Sequence, residues 1–245
     1  MSNVDSVEQL NQHELARFVV DIFRRTILHY GFWFNEVQHQ LGMEEALRTE
    51  SDVAASIFPI VLQRLSKVLG FEVEDDLPLF LTNMPKEKLI SLIDAMSLNW
   101  LANDGIWFQT VEARQDMHTS KRCNDTCWTR FSPLEASMIK GFLKLPDQGG
   151  LDALRRAFNF RIYARINQQT VEKEGDSLVL KVVTCRVQDA RKRRGLEDYP
   201  CKSAGLTEYG VFAKTIDSRI RTECICCPPD EHPEQWACAW RFYLA

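Results

Sequence analysis

Apolar side chains recur every three or four residues through the first part of the chain and begin to alternate near residue 160. The first pattern predicts helices and the second predicts strands. Asn11 and Glu14 carry a capping-box signature ahead of Leu15, Phe18, Val19 and Ile22. Val53, Ile57, Val61, Leu65 and Val68 form a second helical stripe, stopped by Gly70. Pro59 within it either begins a segment or kinks a longer one. "EVEDDLP" reads as a solvated connection, and Leu89, Ile93, Met96 and Trp100 form a third stripe. In "SPLE", Ser132 at N-cap, Pro133 at N1 and Glu135 at N3 predict a further helix start.

Two of these helical stretches look alike. "HYGFWFNEV" runs from His29 to Val37 and "NDGIWFQTV" from Asn103 to Val111, an offset of 74 residues. The same offset lays Leu15 on Leu89, Pro59 on Pro133 and Leu69 on Leu143. This predicts a duplicated helical hairpin. The shared G-x-W-F has two readings. Glycine allows close helix approach and the aromatics fill a core, or the two copies wall a ligand pocket. The pocket candidates are Trp33, Asp104, Trp107 and Phe108. Asn103 and Asp104 are also able to cap a helix.

Beyond residue 157 the alternation in "FRIYARI" predicts a half-buried strand, "EKEGDS" a turn, and "LVLKVVTC" a second strand ending at Cys185. "VQDARKRRG" predicts a short basic helix ended by Gly195. Leu206, Tyr209, Ala213 and Ile216 mark another helix, with Ser203 as its candidate cap. "RIRTECICC" and "ACAWRFYL" predict two more strands, with Ile220, Thr222, Cys224 and Cys226 on one face. The three prolines of "PPDEHPEQ" forbid regular structure between them. The expected fold class is α+β. Duplicated helical hairpins (1–85 and 86–157) pack with a Cys-rich domain (158–245) holding a four-stranded, mostly antiparallel sheet with inserted helices.

Charge and cysteine divide the chain in the same way. Residues 1–100 carry 15 acidic and 8 basic side chains, and residues 101–245 carry 19 and 22. The basic run Arg191–Gly195 is too short to imply nucleic-acid binding and reads as a solvated helix end. No apolar run approaches a membrane span. The N-terminus lacks the pattern of a secretory leader, so the expected location is the cytoplasm, where eight cysteines argue against four disulfides. Six of the eight lie from Cys185 onward. Cys224 and Cys227 have C-x-x-C spacing. Three readings stand open: buried small hydrophobes, a thiolate metal site with zinc first, and a reactive thiol. The metal candidates are Cys185, Cys201, Cys224, Cys227 and Cys238. Cys201 beside Lys202 is the nucleophile candidate. His232 reads as a solvated loop residue, and Cys123 and Cys127 as packing residues.

The order "NDGIWF", "SPLEA", "CRVQDAR", "YPCKSAG" and "CPPD…CAWRF" resembles an uncharacterised group of bacterial cytosolic proteins, domain-of-unknown-function family 6125, over most of residues 95–245. The ending is more distantly similar to vinyl-reductase-type small-molecule-binding domains. That likeness implies an apolar ligand pocket, late paired cysteines (Cys226 or Cys227 with Cys238) and a homodimer. A looser likeness is to the aminothiazoline-carboxylate hydrolase group. The leading expectation is a cytosolic small-molecule-binding protein with a structural cysteine-ligated metal. The rival is a metal- or Cys-dependent hydrolase of a small cyclic or thio-containing substrate.

Overall fold

The computed structural model of the chain describes residues 4–245; the first three residues of the stretch read for a leader lie outside the described residues. The chain divides into two compact units, Met1–Ile57 and Phe58–Ala245. Among the described residues no helix is long and apolar enough to cross a membrane.

In the first unit, helix α1 (Gln12–Leu41) begins at the expected capping box. The Asn11 side chain accepts from the backbone N–H groups of His13 and Glu14, and Glu14 accepts from the Asn11 N–H. Gly42 separates α1 from α2 (Met43–Leu69). The Tyr30 hydroxyl donates to Glu50 across the two helices at 3.0 Å. Pro59 lies inside α2 and does not start a helix.

The second unit begins within α2, at Phe58, and continues with a small hairpin, β1 (Val73–Glu74) and β2 (Leu77–Pro78), in the stretch read as a solvated connection. A one-turn helix α3 (Leu79–Thr82) follows, then the long helices α4 (Lys86–Arg114) and α5 (Met117–Phe142). A shift of 74 residues lays the first residues of α1 and α2 on the first residues of α4 and α5. The duplication read from G-x-W-F is therefore also a duplication of helix boundaries. Ser132 does not begin a helix: it lies inside α5, as does Pro133. The Ser132 hydroxyl is engaged elsewhere, donating to the Glu208 carbonyl at 2.5 Å.

Helix α6 (Gly150–Phe158) leads to a turn of 3-10 helix at Ile162–Arg165, where a strand was expected. Arg161, assigned to the wet face of that strand, is buried between the carboxylates of Glu135 and Glu208. That ion network overrides the alternation. The first long strand is β3 (Gln168–Glu174), which turns at Gly175 (φ 59°) into β4 (Ser177–Thr184). Helices α7 (Arg186–Arg193) and α8 (Lys202–Ile216) precede β5 (Ile220–Cys226) and β6 (Cys238–Leu244). Cys201, with no side-chain capping bond, is the N-cap of α8, whereas Ser203 donates to Asp125 at 2.6 Å.

The four strands run in the order β3-β4-β6-β5, each pair antiparallel, with helices inserted between hairpins. Leu178, Leu180, Trp240 and Phe242 from the sheet pack with Phe158, Phe212 and Ile216 from α6 and α8. Phe158 and Phe212 stack with centroids 5.4 Å apart. Gly205 lets α8 lie close on the sheet, since a Cβ there would sit 2.5 Å from the Trp240 ring.

Candidate functional site

Within the second unit, α4, α5, α7, α8 and the sheet enclose a cavity of about 430 Å³. Helical spacing on α4 brings Leu101, Asp104, Gly105 and Phe108 to one face, and all four line it. Asn124 and Trp128 come from α5, Ala190 and Arg191 from α7, Ala204 and Glu208 from α8. Tyr163 and Tyr199 enter from the intervening turns, and Val182 and Cys238 from the sheet.

Of the four residues expected to line a pocket, Asp104 and Phe108 face this cavity. Trp107 lies a step round the helix and is 63% exposed; Trp33, on α1 of the other unit, is also 63% exposed. Nor does either motif glycine permit close packing. A Cβ at Gly31 would meet nothing within 4 Å, and one at Gly105 only the Gln109 side chain, at 3.9 Å.

Four of the five cysteines expected at a metal also face the cavity: Cys185, Cys201, Cys227 and Cys238. Backbone geometry explains which thiols arrive. A register shift between Cys224 and Cys226 pairs Cys224 with Trp240 but Cys226 with Ala239. The bulge moves Cys226 off the face it was expected to share with Cys224. Its thiol donates instead to the Glu231 carbonyl at 2.8 Å. Cys227 takes the inward direction, within hydrogen-bonding reach of Cys201 and Cys238. Cys224 is not a lining residue.

Two of the lining thiols, Cys185 and Cys227, are pushed up. Hydrogen bonding with Cys201 and Cys238, and then burial, pushes Cys227 far above the ordinary cysteine value. Burial raises Cys185 to about 12 and Cys224 to about 11. Gln188 donates to the Cys201 sulfur at 3.2 Å. Among the described residues no three His, Cys, Asp or Glu side chains are grouped so as to hold a metal ion. His232 belongs to a separate, smaller cleft with Asp189 and Asp198. Cys123 and Cys127 are exposed.

Two hydrogen-bonded sets meet the wall, one through Glu208 and one through Asp104, Asn124 and Tyr199. Arg161 donates to Glu135 at 2.9 Å and to Glu208 at 2.7 Å, and its guanidinium lies over the rings of Tyr209 and Phe212. Burial raises Glu208 despite that partner. In the second set, Tyr199 donates to Asn124 at 2.7 Å, and the Asn124 amide reaches Asp104 at 3.5 Å. Burial raises the Asp104 carboxyl above its usual range. Phe108 meets the Tyr199 ring edge to face at 5.0 Å.

Trp128, Tyr163, Tyr199, Asn124 and Glu208 were not foreseen as site residues. The repeat held a signal for one of them: the 74-residue offset lays Tyr30 and Glu50 on Asp104 and Asn124, and both pairs are hydrogen bonded between helices.

A family model described as a family of unknown function (DUF6125) matches residues 82–244. The chain belongs to that family. The DUF6125 region contains every residue that lines the cavity and leaves α1 and α2 outside it. No curated protein and no solved structure matches the chain.

Proposed function

We propose that the DUF6125 region of this chain binds a small organic molecule in the cavity between α4, α8 and the sheet. The observation that carries the reading is the cavity itself. Its volume of about 430 Å³ falls in the range of small-molecule sites, and aliphatic and aromatic side chains surround a few convergent polar groups.

Cys185 and Cys227 favour binding over hydrolysis by a cysteine nucleophile. Attack requires a thiolate, and a lowered pKa comes from a nearby cation or histidine. Cys185 and Cys227 are pushed up instead. The Lys202 ammonium is engaged by Asp230 at 2.8 Å, and no histidine is among the lining residues. Zinc at Cys185, Cys201, Cys227 and Cys238 would require these thiols to lose protons and draw into a tetrahedron. One zinc per chain, found by elemental analysis of protein purified without added metal, would show that they do so.

The test of the binding reading is a titration with the neutral fluorescent probe N-phenyl-1-naphthylamine, in parallel with Gly105→Leu. A side chain at that position projects into open cavity, and replacing a helical glycine favours the helix. The wild type is expected to show one saturable site, and Gly105→Leu to lose it while melting no lower. Equal probe uptake by both proteins would sink the reading.

A further inference from the structure

We propose that the molecule held in this cavity is a compact organic cation, a protonated amine or a quaternary ammonium, seated with its charged nitrogen against Asp104. The inference rests on the cavity being a small-molecule site and adds the class of ligand.

Asp104 lies in the interior of a 29-residue helix, so capping does not account for it. Its carboxylate faces the cavity from α4, and its one hydrogen bond comes from Asn124 at a long 3.5 Å. Among the described residues no cation pairs with it. The other charged groups at the wall are differently placed. Glu208 is paired with Arg161. Arg191 is paired with Glu112 at 3.4 Å and donates to the Glu197 carbonyl at 2.6 Å. Arg194 donates to Gln109 at 2.5 Å, and Arg186, also at the wall, is exposed to solvent. Asp104 is thus the carboxylate with an unmet charge.

A partly buried carboxylate with no cation beside it is costly, and a cation brought there offsets that cost. The surroundings suit an organic cation better than a metal ion. Phe108 stands one helical turn on, and Tyr199, Tyr163 and Trp128 line the same space, offering the negative faces of aromatic rings. The Arg161 guanidinium over Tyr163, 5.8 Å from its centroid, shows the same kind of contact already made by one of these rings.

The experiment compares three probes of one size on the full chain by isothermal titration calorimetry: 1-naphthylmethylamine, 1-naphthylmethanol and 1-naphthoate. The amine is expected to bind about tenfold or more tightly than the alcohol, as a charge-assisted contact adds over a neutral one. In Asp104→Asn that preference should shrink to about twofold or less while affinity for the alcohol holds. Equal affinity for amine and alcohol, or tighter binding of the naphthoate, with binding still blocked by Gly105→Leu, overturns the cation and leaves the cavity reading standing. An amine preference that survives Asp104→Asn overturns the role of Asp104. No binding of any probe to the wild type overturns both readings.

Discussion

Tyr30 and Glu50 in the first hairpin occupy the positions that Asp104 and Asn124 occupy in the second, and each pair bridges its two helices. Ala46 and Ser120 are likewise equivalent, and both are buried; the Ser120 hydroxyl donates to the Phe108 carbonyl across the hairpin. Outside these shared positions the copies diverge. Ala46 is the buried residue of α1 and α2, whereas α5 buries Trp128, Ser132, Glu135, Ala136 and Ile139 among others. The positions of Ser132, Glu135 and Ala136 hold Phe58, Val61 and Leu62 in the first copy. Two large apolar residues and a valine are matched by two polar groups and an alanine, because the second copy docks on α8. Ser132 binds the Glu208 carbonyl and Glu135 binds Arg161. Duplication preserved helix phase, and the differences lie where one copy acquired a neighbour.

The contrast can be broken at its strongest point by Arg161→Met. This leaves two carboxylates buried without their cation, and the expected loss is about 3–5 kcal/mol of stability. Chemical denaturation would measure it, and a loss below 1 kcal/mol would mean that the network does not hold α5 to α8. Ser132→Ala removes one buried hydrogen bond from the same seam. The expected cost is about 1 kcal/mol, read as a lower denaturation midpoint with unchanged slope.

Asp104→Asn should act in the opposite direction. Burial raises the Asp104 carboxyl, so the folded chain binds that proton more tightly than the unfolded chain. The associated stability is fully present below the unfolded value and is lost as pH rises through the folded one. The variant is therefore expected to melt higher than wild type at neutral pH. The gap should close below about pH 4, the ordinary carboxylate range. A gap that widens on acidification would contradict the assigned cause. The smallest effects belong to Trp33→Ala and Trp107→Ala. Both side chains are mostly exposed, so each change should fall within about 0.5 kcal/mol. A large loss in one and not the other would show that the copies use the motif differently.

Much of this architecture was legible before any coordinates. The offset of 74 residues located both hairpins, the Asn11 capping box began α1 where expected, the strands β5 and β6 lie within the stretches read for them, and β4 begins one residue before its own. The failures share a cause. Alternation in "FRIYARI" placed Arg161 on a wet face, yet partners 26 and 47 residues away in sequence bury it. "SPLE" has the chemistry of a helix start, but its serine and glutamate are engaged by α8 and Arg161. Local patterns do not register a polar group whose partner is distant in the chain. The site divided along the same line. Asp104 and Phe108 were visible through the repeat, whereas Tyr199 and Glu208 gain their position from packing alone. The cysteines of strand β5 could not be sorted by parity, since a bulge reverses it at Cys226.

Arg161 serves two acids, so when all three groups are ionised the enclosed set carries one excess negative charge, and Asp104 adds another at the wall. Any guest that displaces water there alters how firmly Glu208 and Asp104 hold hydrogen ions. Filling the cavity should then exchange protons with the buffer, and the heat released should differ between phosphate and Tris in proportion to their ionisation enthalpies. Identical heats in the two buffers would mean that the enclosed acids keep their occupancy throughout.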